Sequence, residues 1–335
     1  MDIQKLFGAK LNRRRLLGNL GMMGAGAVIT ACGGAVAQDD DPVDYDAAIL
    51  NFALNLEYLE AAFYLAAVGR VGEITAVGGN AAIQFPESFD GTSAIEGLSE
   101  NVVAYANEIA NEELAHVNFL RSALGESAAD RPVLNLNTSF QAAATAALAP
   151  FPEADRPFAG EDFNPYANEV FFLHGSFIFE DVGVSAYKGA ARFLTSKDTL
   201  EAAAGILAAE AYHSGEIRTL LYAADKSDAY GLGAGTIATI VQAISDARDS
   251  LDGEGEQDQG IVDVDIATSS DANISVTDAN GIAYSRTPLQ VAKIVYLSAD
   301  AAVTADSFFP NGITIPAGLE DQFADLLDPT FPDNL

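Results

Sequence analysis

The sequence has no tryptophan, three methionines, one cysteine and three histidines in 335 residues. A single cysteine excludes an internal disulfide, so stability has to come from packing, a metal or both. Basic residues are scarce too: 17 Lys and Arg stand against 48 Asp and Glu, a net charge of −31. Such a surface argues against nucleic acid and anionic membranes as partners and favours cations. Apolar residues, by contrast, make up 49% of the chain. That is enough for a substantial core, and the abundant Ala and Gly point to packed helices.

The densest group of basic residues stands near the start. Asn12-Arg13-Arg14-Arg15-Leu16-Leu17-Gly18 opens an uncharged stretch that runs to Gln38. A basic segment, a Gly/Ala/Leu centre and a small-residue exit describe an export signal over residues 1–37. Paired arginines ahead of two leucines resemble the twin-arginine type, which carries proteins already folded. The stretch is Gly-rich for a membrane-spanning helix and dissolves into Asp39-Asp40-Asp41. Two exits compete. Ile29-Thr30-Ala31-Cys32 resembles a lipobox, which would make Cys32 a lipid anchor, and Ala35-Val36-Ala37 before Gln38 fits ordinary signal peptidase. The expected location is the periplasm or cell envelope.

Helical periodicity predicts a first helix over 44–68, stopped at Gly69, and a second over 99–124, stopped at Gly125. Residues 70–95 and 126–163 read as long connections, with a short helix at 140–148 in the second. Asn164-Pro165 reads as the start of a third helix, a cap followed by proline, running to about Leu194. Ser196 caps a fourth helix to about Ala224. A fifth covers 236–251, and one more begins at Thr287-Pro288 and covers about 288–298. Short β-like runs occur at 261–266 and 274–276. The expected fold class is all-α: an antiparallel four-helix bundle over 44–226, followed by a mixed, loop-rich extension over 227–335.

The two helix pairs repeat one pattern. Glu57 is followed at +7 by Tyr64, and Glu180 at +7 by Tyr187. Glu113 is followed by His116 at +3 and Arg121 at +8; Glu210 is followed by His213 at +3 and Arg218 at +8. Such internal similarity points to duplication. Residues three apart share a helix face, so each Glu-x-x-His offers a carboxylate and an imidazole to one point. Two such helices, with single glutamates from the other two, put four carboxylates and two imidazoles inside one bundle. That combination suits a dinuclear site of two Fe or Mn ions. Glu60, Glu112 and Asp181 compete with Glu57, Glu113 and Glu180, but lack the matching +7 or +3 partner. Tyr64, Tyr187, Arg121 and Arg218 are candidates to orient the carboxylates from behind, with solvated helix ends the alternative for the arginines. Glu216 is either a supporting group or a surface charge. His174 lies off the face of Glu180 and is not expected to bind metal.

The Glu57…Tyr64 helix and Glu112-Glu113-Leu114-Ala115-His116 resemble the ferritin and rubrerythrin pattern of the ferritin-like superfamily. A closer resemblance is to the exported ferritin-like proteins known as desiccation-related proteins. It runs from Asn51-Phe52-Ala53-Leu54-Asn55-Leu56-Glu57-Tyr58-Leu59-Glu60-Ala61 into the extension, through Ser285-Arg286-Thr287-Pro288 and Phe308-Phe309-Pro310-Asn311-Gly312. The resemblance implies a four-helix bundle whose dinuclear ligands map onto Glu57, Glu113, His116, Glu180, Glu210 and His213. It implies no settled activity. The 70–95 connection and the last third depart from cage-forming ferritin, so an iron-storing shell is not expected. Two functions are compatible: an oxidase, ferroxidase or peroxide-removing centre acting on dioxygen or peroxide, or a non-catalytic stress protein in which metal is structural. In the first, Glu113 and Glu210 would bridge the ions, while Glu57, Glu180 and the two histidines would be terminal.

Overall fold

A computed structural model describes residues 43–253, 255, 257–262 and 272–331. The expected export signal, both of its expected exits and Cys32 lie outside these residues, as does most of the 261–266 run. In chain order the helices are α1 (Asp46–Ala67), α2 (Glu100–Leu124), α3 (Thr138–Leu148), α4 (Glu169–Ala191), α5 (Lys197–Ser227), α6 (Thr236–Asp252), α7 (Pro288–Val295) and α8 (Glu320–Leu326), besides a single helical turn at Gly72–Thr75. α1 packs along α2 and α4 along α5, and the two pairs face each other. Asn51, near the start of α1, bonds to Ser127 and Ala129 just beyond the end of α2, so that pair is antiparallel. None of the described helices is long and apolar enough to cross a membrane.

The burial patterns explain the arrangement. In α2 the buried residues are Val102, Ala106, Ile109, Ala110, Glu113, Val117, Leu120, Ala123 and Leu124, one stripe at helical spacing. In α5 they include Ala203, Ile206, Glu210, His213, Ile217 and Leu221. The acidic and imidazole groups therefore sit within the apolar stripes. α1 is buried on nearly every face, as expected of a helix that is apolar all round. α2, α4 and the C-terminal extension enclose it. Phe63 lies at the centre of an aromatic cluster with Phe140, Tyr166, Phe172 and Phe179, and Phe308 extends it from the extension.

The extension packs on the bundle. Asn55 of α1 donates to the Thr314 carbonyl at 3.0 Å and accepts from its amide at 2.7 Å. Tyr45 donates to Asp325 at 3.0 Å. A buried ionic network joins α4, α5 and α6 to the segment beyond: Arg218 and Arg248 contact Asp181, Arg248 contacts Asp258, and Arg286 contacts Asp252 and Asp258.

Three local expectations need correcting. Asn164-Pro165 does not start the third helix. Asn164 closes a turn by accepting from the Tyr166 amide, and extended Asn168 is the cap, its side chain accepting from Phe171 N. A second Asn four residues on offers the same cap with Glu169 at the first helical position, where the helix dipole favours it. The helix at Thr287-Pro288 has the full capping box with Gln290 but ends at Val295, because Leu297 turns left-handed at φ 52°. Finally, the two long connections are tied by a parallel pair, β1 (Ile83–Gln84) with β2 (Leu134–Asn135). Two residues per strand carry no readable alternation.

Candidate metal centre

All six residues of the repeat meet in mid-bundle. Ligand atoms of Glu57, Glu113, His116 and Glu210 lie within 4.8 Å of one another, and so do those of Glu113, Glu180, Glu210 and His213. Glu113 and Glu210 belong to both groups. Glu57, Glu113 and Glu210 are 0% exposed, Glu180 1% and His213 2%. His116 is less enclosed, at 12% for its side chain. Both imidazoles turn Nδ1 inward. His116 Nδ1 lies 3.1 Å from Glu57 and 3.6 Å from Glu113 and from Glu210. His213 Nδ1 lies 3.0 Å from Glu113 and 3.5 Å from Glu180.

The tyrosines brace the carboxylates across the bundle. Tyr64 of α1 donates to Glu180 of α4, and Tyr187 of α4 donates to Glu57 of α1. Each phenol thus serves the glutamate of the opposite half. The arginines match neither expectation. Arg121 donates to Tyr58 and to the Ala129 carbonyl. Arg218, fully buried, pairs with Asp181 at 2.8 Å and donates to the carbonyls of Gln259, Gly260 and Asn273. Both tie the bundle to its connections and leave the six-residue cage untouched. Asp181 faces the arginines, also accepting from Ser214 at 2.7 Å. His174 is buried apart from the cage, its Nδ1 on the Val170 carbonyl at 2.6 Å. Glu216 stays partly exposed near Glu108, Glu112 and His213.

Two residues near the cage carry more than their sequence reading assigned them. Glu112 binds His213 Nε2 at 2.7 Å, which fixes the ring so that Nδ1 faces the carboxylates. Its place beside Glu113 was visible, but an i−1 neighbour of a ligand-type residue carries no spacing signal of its own. Glu60, one turn beyond Glu57, is buried at 6% exposure next to the cage. Across from it Gly183 leaves space: a Cβ there would overlap Glu210 Oε2 and stand 3.5 Å from Glu60 Oε1.

The electrostatics follow from burial. Burial raises Glu57 to about 7, against the pull of His116. Burial and the surrounding carboxylates push Glu60 and Glu210 well above the usual range. Burial also raises Glu180, opposed by His213. Glu113 moves the other way: burial would lift it, yet His116 and His213 together hold it at about 2. Burial disfavours the His116 cation, but Glu57 and Glu113 carry it up to about 10, and Glu113 and Glu180 carry His213 higher still. The firm direction is an ionised Glu113 between two protonated imidazoles. In the protein alone, those protons supply the positive charge that the carboxylates demand.

A cation fits the residues present. Oε2 of Glu113, both oxygens of Glu210 and Oε2 of Glu180 are buried with no hydrogen-bond partner. Buried acceptors without partners are costly. Four carboxylates converging with two imidazole nitrogens make a donor set that could hold metal, and metal charge would offset their burial.

The ferritin-like domain profile matches residues 45–223. The chain is 32% identical to desiccation-related protein PCC13-62 of Craterostigma plantagineum over 276 residues, spanning 78% of this chain and 82% of that one. It is 27% identical to ferritin-like catalase Nec2 of Nesocodon mauritianus over 282 residues, spanning 81% and 84%. No solved structure matches. The profile spans the four helices that carry the whole Glu and His cage, and the chain belongs to the ferritin-like family.

Proposed function

We propose that the cage holds two Fe or Mn ions and that the protein removes hydrogen peroxide. The observation that carries this reading is the pair of overlapping ligand groups sharing Glu113 and Glu210. Two shared carboxylates suit a pair of neighbouring ions better than one. Four carboxylates balance two divalent charges, and oxygen-rich donors with two nitrogens suit Fe or Mn over Cu or structural Zn. A redox-active pair supplies the electron exchange by which one peroxide is oxidised to dioxygen and another reduced to two waters. The protein's part is placement. Glu57 with His116 and Glu180 with His213 hold the two ends, Glu113 and Glu210 span the middle, and Tyr64 and Tyr187 fix the terminal carboxylates.

Composition adds support. The three methionines and the cysteine all precede residue 33 and tryptophan is absent, so residues 33–335 carry no sulfur and no indole. Those are side chains that oxidants attack readily. The relative named as a ferritin-like catalase points the same way. Export to the periplasm or cell envelope belongs to this proposal and rests on the arginine-led N-terminal sequence.

Purified protein should contain two Fe or Mn ions per chain by elemental analysis, and the loaded protein should evolve oxygen from peroxide. Two bound ions without turnover of peroxide, dioxygen or ferrous ion would reject catalysis. No bound metal would reject the centre itself.

A second reading is favoured by the net charge of −31 and by the relative named as desiccation-related. Here metal would hold the bundle while the acidic surface retains water and cations. Under it, a His116→Ala/His213→Ala variant should protect cells in proportion to the folded protein present.

A further inference from the structure

Glu60 has no role in the six-residue cage, yet it is more than nine-tenths buried beside it. Its charged neighbours are Glu113, Glu180 and Glu57, with His213 the cation in reach. An apolar core holds such a group only when it is protonated or met by a positive charge. The repeat shows how special the position is. Matching Glu57 to Glu180 places Glu60 opposite Gly183, so one half carries a carboxylate where the other carries no side chain. That bare position is where Glu210 and Glu60 approach each other, since a Cβ on Gly183 would overlap Glu210 Oε2 and stand 3.5 Å from Glu60 Oε1. The niche opens on a void of ≈ 20 Å³ lined by Leu59, Val182, Ile294 and Phe308 along with Glu60 and Gly183. This is room for about one water-sized molecule.

Glu60 belongs to neither ligand group as its side chain lies. We propose that it turns across the Gly183 niche to serve as a fifth carboxylate of the centre, toward the ion that Glu113, Glu180, Glu210 and His213 would hold. The proposal rests on the metal centre inferred above. A fifth carboxylate breaks the electrical symmetry of the cage: four neutralise two divalent ions, and a fifth favours a further unit of positive charge at the second ion. It also places an acidic group where a small oxygen-containing molecule in the void would meet that ion.

Manganese titrations of the full chain and of Glu60→Gln, followed by elemental analysis and electron paramagnetic resonance, test this. The wild type should take up two ions. Glu60→Gln should bind the first normally and the second about tenfold more weakly or worse, with an altered signal from the ion pair. Thermal unfolding of the metal-free proteins supplies a second readout. Glu60→Gln should melt higher than wild type without metal and gain less on loading, because a buried carboxylate has been removed. Should Glu60→Gln not fold, Glu60→Asp withdraws the charge by one methylene and should weaken the second ion likewise. Two ions bound with wild-type affinity and spectrum by the variant would overturn the role of Glu60 and leave the six-residue centre standing. No ion bound by wild type would overturn both.

Discussion

The first helix pair and the second present the same six-residue cage to each other, but what stands behind each half differs. Behind Glu57 the next residue is Tyr58, tied to Arg121 and to the Ala129 carbonyl. Behind Glu180 the next residue is Asp181, bound by two arginines inside a buried ionic network. Position for position, Glu112 faces Ala209, Asn51 faces His174, and Glu60 faces Gly183. The lesson is that symmetry is retained only where the shared chemistry requires it. Both halves hold the C-terminal extension, the first through Asn55 and Tyr45 and the second through the buried ionic network, while His116 stays more exposed than His213.

The largest effects should come from breaking what the halves share. Glu113→Ala removes a member of both ligand groups and should abolish binding of both ions, whereas Glu57→Ala or Glu180→Ala should damage one group each. Elemental analysis of the folded variants decides this, and two ions retained by Glu113→Ala would dismantle the shared-carboxylate picture. The anchoring difference comes next. Arg218→Ala leaves Asp181 with Arg248 as its one cation and strips the Gln259 and Asn273 carbonyls of their donor, and should cost about 3 kcal/mol. Arg121→Ala loses hydrogen bonds from a half-buried cation to neutral oxygens and should cost about 1.5 kcal/mol. Urea denaturation of the metal-free proteins compares them, and equal costs would contradict the asymmetry.

Acid should single out the second half. Burial lowers His174 to about 4 from its ordinary 6.5, so between those values the unfolded chain binds the proton and the folded chain does not. Stability from this residue is intact above about pH 6.5 and falls by about 3 kcal/mol as pH drops through 4. Comparing the wild type with His174→Gln in urea from pH 7 to 4 should show a shallower loss in the variant; parallel curves would reject it. The smallest difference is expected at the crossed tyrosines. Tyr64→Phe and Tyr187→Phe each remove a hydrogen bond to a carboxylate and should each cost about 1.5–3 kcal/mol, alike in both halves. Clearly unequal losses would show that the bracing has diverged as well.

The bundle was legible because its signals are periodic: buried stripes in α2 and α5 and glycine stops at Gly69 and Gly125. The convergence of Glu57, Glu113, His116, Glu180, Glu210 and His213 was legible from repetition, since chance seldom matches two spacings twice. By sequence Glu112 and Glu60 compete with Glu113 and Glu57, and the structure gives each a place beside the cage instead. Helical spacing ranks which residues share a face, but not what stands opposite. The arginines show the same limit. Their matching +8 positions suggested a common task near the carboxylates, while their partners come from loops whose course no local pattern encodes. Asn164-Pro165 misled because a second asparagine four residues on offers an equally good cap.

The hydrogen bonds from Asn55 to Thr314, with Tyr45 to Asp325, have a consequence in time. They join positions separated by 259 and 280 residues. Among the described helices α1 is made first and is the most deeply enclosed, yet part of its cover is synthesised 259 residues later. Until residue 314 has emerged, the amide of Asn55 and much of the apolar circumference of α1 lack their final partners. Folding must therefore close loops of that length, which slows it relative to a bundle of local contacts. The nascent chain spends that interval with its most apolar helix incompletely covered, the condition under which aggregation competes with folding.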